Sequence, residues 1–137
     1  MFIPIKNIPM LRSEGQAASS ITRGNAVVFS SAGYIDNASA TSTDIVGVAA
    51  ETYDNSAGAA NAVDILYWPC FADVIFQATT ASTTPAQTDV GETFDLASVS
   101  TVNPGASSYS QVLGVEYINT TTIGVSFVDT IYGANAT

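Results

Sequence analysis

The chain has 137 residues, of which 12 are Asp or Glu, 3 are Lys or Arg and none is His, giving a formal net charge of −9. Three basic residues are too few to replace the counterions of a nucleic-acid backbone. Without histidine there is no Ser-His or Cys-His nucleophile pair and no imidazole metal ligand. A hydrophobic fraction of 47% is wrong for a disordered chain, so we expect one domain with its own core.

The chain begins with an apolar segment that two prolines interrupt. Seven of the first eleven residues are large and apolar, while Pro4 and Pro9 forbid a regular helix and favour an extended path. The segment makes a poor signal peptide because Lys6 follows the first apolar residues and the prolines divide them. We therefore predict an extended amino-terminal arm over residues 1–23.

The charges are divided unevenly between this arm and the rest of the chain. Residues 1–23 carry a net charge of +2, and residues 24–137 carry −11. The sequence thus indicates a small basic, apolar arm attached to an acidic body, which we treat as a single domain over residues 24–137.

The first half of the body has the pattern of short β-strands. Short apolar runs are separated by turn-forming residues. Pro69 is expected to end a strand or to mark a bulge, because it cannot donate a ladder hydrogen bond. The runs 45–53 and 63–68 are predicted to form a hairpin. The predicted strands here cover residues 25–30, 34–35, 45–53 and 63–68.

The second half continues this pattern. A run over 71–77 precedes a Thr-rich loop, 93–96 is a short strand, and 97–110 is predicted to be a long loop. Residues 112–117 and 123–128 give the clearest hairpin, with Ile123, Val125 and Phe127 on one face by period-two alternation. No window predicts a helix. The fold class is therefore all-β: a small barrel or jelly-roll-like sandwich of short antiparallel strands.

The residues that could carry chemistry do not form a recognisable site. Asp129-Thr130-Ile131 lacks the glycine of an aspartic-protease motif, and the loop at Asp54 lacks the alternating oxygen ligands of a calcium loop. Cys70 has no histidine to activate it and is expected to be buried and inert. We therefore predict no enzyme and no catalytic, cofactor-binding or metal-ligating residues.

The apolar arm is the candidate functional element, because in water it would promote aggregation and so must dock on its own body or on a partner. Burying seven large side chains contributes roughly 10–20 kcal/mol. Ordering eleven residues of backbone costs about 11–22 kcal/mol. Docking then needs further help, such as strand addition to a sheet edge or several arms binding together. The predicted contact residues, for a partner protein or a sister subunit, are Phe2, Ile3, Ile5, Lys6, Ile8, Met10, Leu11, Arg12 and Arg23.

Four short patterns resemble the capsid decoration, or cement, proteins of tailed bacteriophages. They are Ile21-Thr22-Arg23-Gly24-Asn25-Ala26-Val27-Val28, Gly33-Tyr34-Ile35, Ile45-Val46-Gly47-Val48-Ala49 and Val63-Asp64-Ile65. The resemblance covers about residues 21–76, with weaker support from 111–128, and the apolar arm and the long Thr/Ser loops depart from it. It implies a β-barrel or jelly-roll-like fold and homotrimers on the outer surface of an icosahedral head. Such proteins clamp neighbouring major capsid protein subunits against internal DNA pressure.

The sequence therefore predicts a structural virion protein, made in the host cytoplasm, that stabilises a phage capsid and contacts neither nucleic acid nor membrane. An alternative from another class is a receptor- or glycan-binding module of a fibre or head spike. That module would use Trp68, Tyr67 and Tyr109 as sugar-stacking platforms.

Overall fold

The structure, a computed structural model, describes residues 1–132 and confirms the all-β fold class. The only helical segment within these residues is a single 3₁₀ turn, Gln87–Asp89. The strands are β1 Phe2–Lys6, β2 Arg12–Gly15, β3 Ser20–Ile21, β4 Ala26–Phe29, β5 Ile35–Asn37, β6 Gly47–Ala49, β7 Tyr53–Asp54, β8 Asp64–Pro69, β9 Ile75–Thr80, β10 Thr93–Leu96, β11 Thr101–Asn103, β12 Val112–Asn119 and β13 Thr122–Phe127.

Five strands close into a small barrel. They pair in the order β9-β11-β10-β12-β13, and β13 pairs back to β9. The β9–β11 pair is parallel and the other four pairs are antiparallel. Inward-facing residues such as Phe76, Phe94, Val112 and Phe127 fill the interior. The terminal hairpin is confirmed, with Ile123, Val125 and Phe127 all buried as the alternation predicts.

A second sheet packs beside the barrel in the order β2-β8-β6-β4-β5. Its outer strands meet at a parallel bridge between Gln16 and Ile35, where the Ala17 amide donates to the Ile35 carbonyl at 2.8 Å. One face of the sheet contributes Ala26 and Val48 to the barrel core, and the other surrounds a separate apolar cluster. The predicted pairing of 45–53 with 63–68 is confirmed as β6 with β8, and β8 ends at Pro69 as expected.

Two local predictions are wrong. Residues 97–110 were expected to be a loop but contain β11, because pairing with both β9 and β10 supplies the hydrogen bonds that this Ser/Thr-rich segment does not signal locally. The strand expected from residue 71 begins only at Ile75. Residues before it form a turn in which the Val74 amide donates to the Phe71 carbonyl at 3.0 Å.

The first 23 residues are distributed over all three sheets of the molecule. Strand β1 pairs with β9 of the barrel, β2 pairs with β8 of the second sheet, and β3 forms a small two-stranded sheet with β7. The segment predicted as an arm therefore lies along the body of its own chain and shares its cores.

Candidate docking surface

Strand β1 is fastened to the barrel by alternating side chains. Phe2 and Pro4 point inward and are buried, whereas Ile3 and Lys6 face outward. The Phe2 ring lies 5.1 Å from Phe127, whose ring centroid is 5.5 Å from that of Phe76. Tilted and edge-on aromatic contacts at these distances add to the free energy of apolar burial. In this structure Phe2, one of the predicted contact residues, is buried in the core of its own chain, because the barrel offers it aromatic neighbours beside β9.

The outer edge of β1 is closed to a further strand. The Phe2 amide, which points away from β9, donates to the Gly24 carbonyl at 2.9 Å. Two residues on, by the alternation of a strand, Pro4 lies on the same edge and has no N–H to offer. A proline on an edge strand is a common protection against unwanted pairing. A partner is therefore not expected to bind here by strand addition.

Residues 7–11 leave the barrel and carry their apolar side chains into solvent. Asn7 turns the chain with a left-handed φ of 53°, and its side-chain amide donates to the Asp73 carbonyl at 2.8 Å. Beyond this turn Ile8 is 58% exposed, Met10 88% and Leu11 46%. These three large side chains have no sheet beside them to cover them.

A surface groove of about 540 Å³ lies between this segment and the turn that precedes β9. Met10 and Leu11 form one wall, and Phe71 and Val74 form the other. Phe71 is itself partly exposed, and its ring packs against Tyr132 with centroids 4.8 Å apart and the ring planes tilted by 54°. We name Ile8, Met10, Leu11 and Phe71 the docking surface. Met10, Leu11 and Phe71 line the groove together, and Ile8 lies two residues before Met10 in the chain. Exposed apolar side chains brought together at a groove are typical of an interaction site.

The three basic residues stand in different relations to the docking surface. Arg12 lines the groove together with Asp73. Lys6 forms an ion pair with Glu116 at 3.3 Å, and the Arg23 guanidinium lies over the Trp68 ring, 5.6 Å from its centroid. Arg12 is thus the predicted basic contact residue that borders the groove, while Lys6 and Arg23 already interact within the chain.

The remaining predicted contact residues lie on β1. Ile3 is partly exposed on the outer face of the barrel, and Ile5 is half-buried near the end of the strand. The sequence places Phe71 only at the start of the predicted strand over residues 71–77. The signal that could have placed it here is the turn after Pro69, which lifts the following side chains off the sheet.

The aromatic residues considered for sugar stacking are not gathered into a platform. Tyr67 is buried in the second core, and burial together with a hydrogen bond to Tyr132 raises the pKa of its hydroxyl. Trp68 is half-buried on β8 with Arg23 over its ring, while the exposed Tyr109 belongs to the loop before β12.

Cys70 is buried, as the sequence predicts. Its thiol donates to the Ile45 carbonyl at 3.3 Å, and burial raises the thiol pKa because a thiolate would lose its hydration. The nucleophilic form is therefore suppressed, and the side chain serves as a small apolar group in the barrel core.

The acidic residues act structurally where they are buried. Asp95 accepts backbone hydrogen bonds from Ser108, Tyr109 and Ser110 at 2.7–3.0 Å and so fixes the loop that leads into β12. Among residues 1–132, no group of three or more His, Cys, Asp or Glu side chains is placed to hold a metal ion. The same residues include no helix long and apolar enough to cross a membrane.

No protein-family model matches the chain, and neither the curated proteins nor the solved structures gave a significant match.

Proposed function

We propose that this protein decorates the outer surface of an icosahedral phage head and cements neighbouring major capsid protein subunits. The observation that carries the proposal is the docking surface: four large apolar side chains with Arg12 at their border, beside a small closed barrel and on a chain whose net charge is −9. The resemblance of residues 21–76 to decoration proteins is the reason for proposing the major capsid protein as the partner.

The mode of attachment follows from the closed edge of β1, the strand next to the docking surface. Since Pro4 and the Gly24 carbonyl close the edge of β1, attachment proceeds through side chains rather than through an added strand. Ile8, Met10 and Leu11 enter apolar depressions between capsid subunits, and Arg12 meets a carboxylate on the shell. The acidic body stays in solvent, where its charge limits aggregation.

The size of the docking surface indicates that several copies must act together. Completing the burial of four side chains that are 38–88% exposed contributes about 3–7 kcal/mol. The loss of translational and rotational freedom on association costs about 4–15 kcal/mol. One copy would therefore bind weakly, whereas a trimer joined to a repeating shell binds through several docking surfaces at high effective concentration. This reasoning supports the proposed homotrimer.

The test compares two double variants for co-sedimentation with empty heads assembled from the major capsid protein encoded in the source genome. In Met10→Ser/Leu11→Ser, we expect attachment to fall at least about tenfold, because each lost apolar contact removes about 1 kcal/mol or more in each bound copy. The control is Tyr117→Ser/Ile118→Ser, which removes two partly exposed apolar side chains from the β12–β13 hairpin, away from the docking surface. Equal attachment of wild type and both variants would show that the docking surface does not hold the shell.

A further inference from the structure

The two walls of the groove run in opposite directions along the chain. The Asn7 side-chain amide donates to the Asp73 carbonyl at 2.8 Å, which places residue 7 beside residue 73. At the other end Arg12 pairs with Tyr67, two residues before Pro69 of the facing wall. The two wall segments are therefore antiparallel, and the groove has two distinct ends.

The two ends of the groove carry opposite charges. Arg12 lines one end and Asp73 lines the other, and both residues are exposed. Among residues 1–132, neither side chain has an ion-pair or hydrogen-bond partner. Both charges are therefore available to opposite charges on another molecule.

Between its charged ends the groove is apolar and its walls are restrained. Met10, Leu11 and Phe71 line it, and each wall also contains a proline, Pro9 or Pro69, whose ring restricts the backbone. Its volume of about 540 Å³ lies within the range of roughly 300–1,000 Å³ that binding clefts have. Preformed apolar walls with a few charged groups that orient what binds are typical of a binding site.

We propose that this groove holds a short extended segment of the major capsid protein, with a carboxylate at one end, a basic side chain at the other and apolar side chains between them. The carboxylate meets Arg12, and the basic group meets Asp73. The reverse arrangement would bring like charges together, so the two ends fix how the segment lies. The inference rests on the proposed function, because it takes the shell as the partner, and it keeps Met10 and Leu11 in contact with that shell.

Charge complementarity in the groove can be separated from the effect of net charge. Arg12→Glu lowers the net charge of the chain by two, and Asp73→Lys raises it by two. If net charge alone governed attachment, the two variants would change it in opposite directions. In the groove, each variant places like charges together, so both should weaken attachment.

The experiment measures co-sedimentation with the same empty heads at low salt. We expect Arg12→Glu and Asp73→Lys each to lower attachment about fivefold or more, because a repulsion replaces an attraction. High salt should reduce both differences from wild type. The matched control is Glu92→Lys, which raises the net charge as Asp73→Lys does but lies outside the groove, and it should attach like wild type. If circular dichroism shows that a charge reversal does not fold, Arg12→Gln or Asp73→Asn replaces it.

A second measurement identifies the segment that binds. Overlapping short peptides that together cover the major capsid protein are immobilised, and labelled wild type, Arg12→Glu and Asp73→Lys are passed over them. The peptides that retain wild type should contain an acidic and a basic residue separated by apolar residues, and both variants should be retained less. Retention on purely apolar peptides, equal for all three proteins, would overturn the inference.

The inference and the proposed function fail in different ways. Attachment that falls in Met10→Ser/Leu11→Ser but is unchanged in both charge variants would overturn the inference and leave the docking surface as the attachment site. Opposite changes in Arg12→Glu and Asp73→Lys would also overturn it, since net charge would then explain both results. If wild type does not attach to the heads at all, the proposed function is wrong, and the inference is overturned with it.

Discussion

Residues 2–6 and residues 7–11 have similar sequences and opposite environments. Each contains an Ile-Pro pair and further apolar side chains, Phe-Ile-Pro-Ile-Lys followed by Asn-Ile-Pro-Met-Leu. The first segment buries Phe2 and Pro4 in the barrel, whereas the second leaves Met10 88% exposed. Composition alone therefore does not decide which apolar residues are covered.

The difference comes from what lies beside each segment. Residues 2–6 run along β9, which supplies backbone partners and an interior side for every second residue. Residues 7–11 cross between two sheets and have no strand to pair with. Their apolar side chains therefore have no barrel interior on either side in which to be buried. Pairing with a neighbouring strand buries apolar side chains and so stabilises the fold. Without such a strand, the apolar side chains stay exposed and are available to another molecule.

Removing the anchor of the first segment should have the largest effect on stability. We expect Phe2→Ala to lower the free energy of unfolding by about 3–5 kcal/mol, because it leaves a cavity beside Phe127 in the barrel core. Urea unfolding at fixed protein concentration, followed by Trp68 fluorescence and far-ultraviolet circular dichroism, measures the change.

The matched variant in the second segment is Met10→Ala, which should stay within about 0.5 kcal/mol of wild type because the side chain is exposed. If Phe2→Ala and Met10→Ala lower the free energy of unfolding by similar amounts, the contrast between the two segments is wrong, because Met10 would then be as buried as Phe2 in solution.

The sequence predicts the elements whose partners are close along the chain. The β12–β13 hairpin is predicted by the alternation of apolar residues and by the polar turn between the two strands. Strand β8 ends at Pro69 because proline has no N–H to donate to the next ladder hydrogen bond. The pairing of β6 with β8 is also within reach of local patterns, because the turn-forming residues between them mark the reversal.

Features that depend on distant residues could not be predicted in this way. Strand β11 exists because β9 and β10 lie on either side of it, and the second sheet closes only where Gln16 meets Ile35. The fate of the amino-terminal segment was undecided, since burial and chain entropy nearly cancel. That Phe2 fits beside Phe127, 125 residues away in sequence, is a matter of shape that composition does not reveal.

Asn7 lies at the boundary between the two segments. Substituting it tests how strongly residues 7–11 are held against the body of the chain. In Asn7→Ala, the left-handed backbone becomes unfavourable and the hydrogen bond to the Asp73 carbonyl is lost, so we expect about 1–2 kcal/mol of destabilisation. Asn7→Gly loses the same hydrogen bond but tolerates the positive φ, and should cost about half as much. The same urea titration measures both variants. If neither variant differs from wild type, the turn does not hold residues 7–11 against the body.

The smallest effect is expected at Lys6, the last residue of β1. Its ion pair with Glu116 is exposed on both sides, so water and salt screen it. A double-mutant cycle with Lys6→Gln and Glu116→Gln should give a coupling energy of about 0.2–1 kcal/mol, falling as sodium chloride is raised. Urea titrations at low and high salt provide the four stabilities. A coupling well above this range that persists in high salt would mean that the pair is shielded from solvent in the assembled protein. The covered region would then extend from residues 7–11 onto the end of β1, and the boundary between the two segments would lie before Lys6 rather than after it.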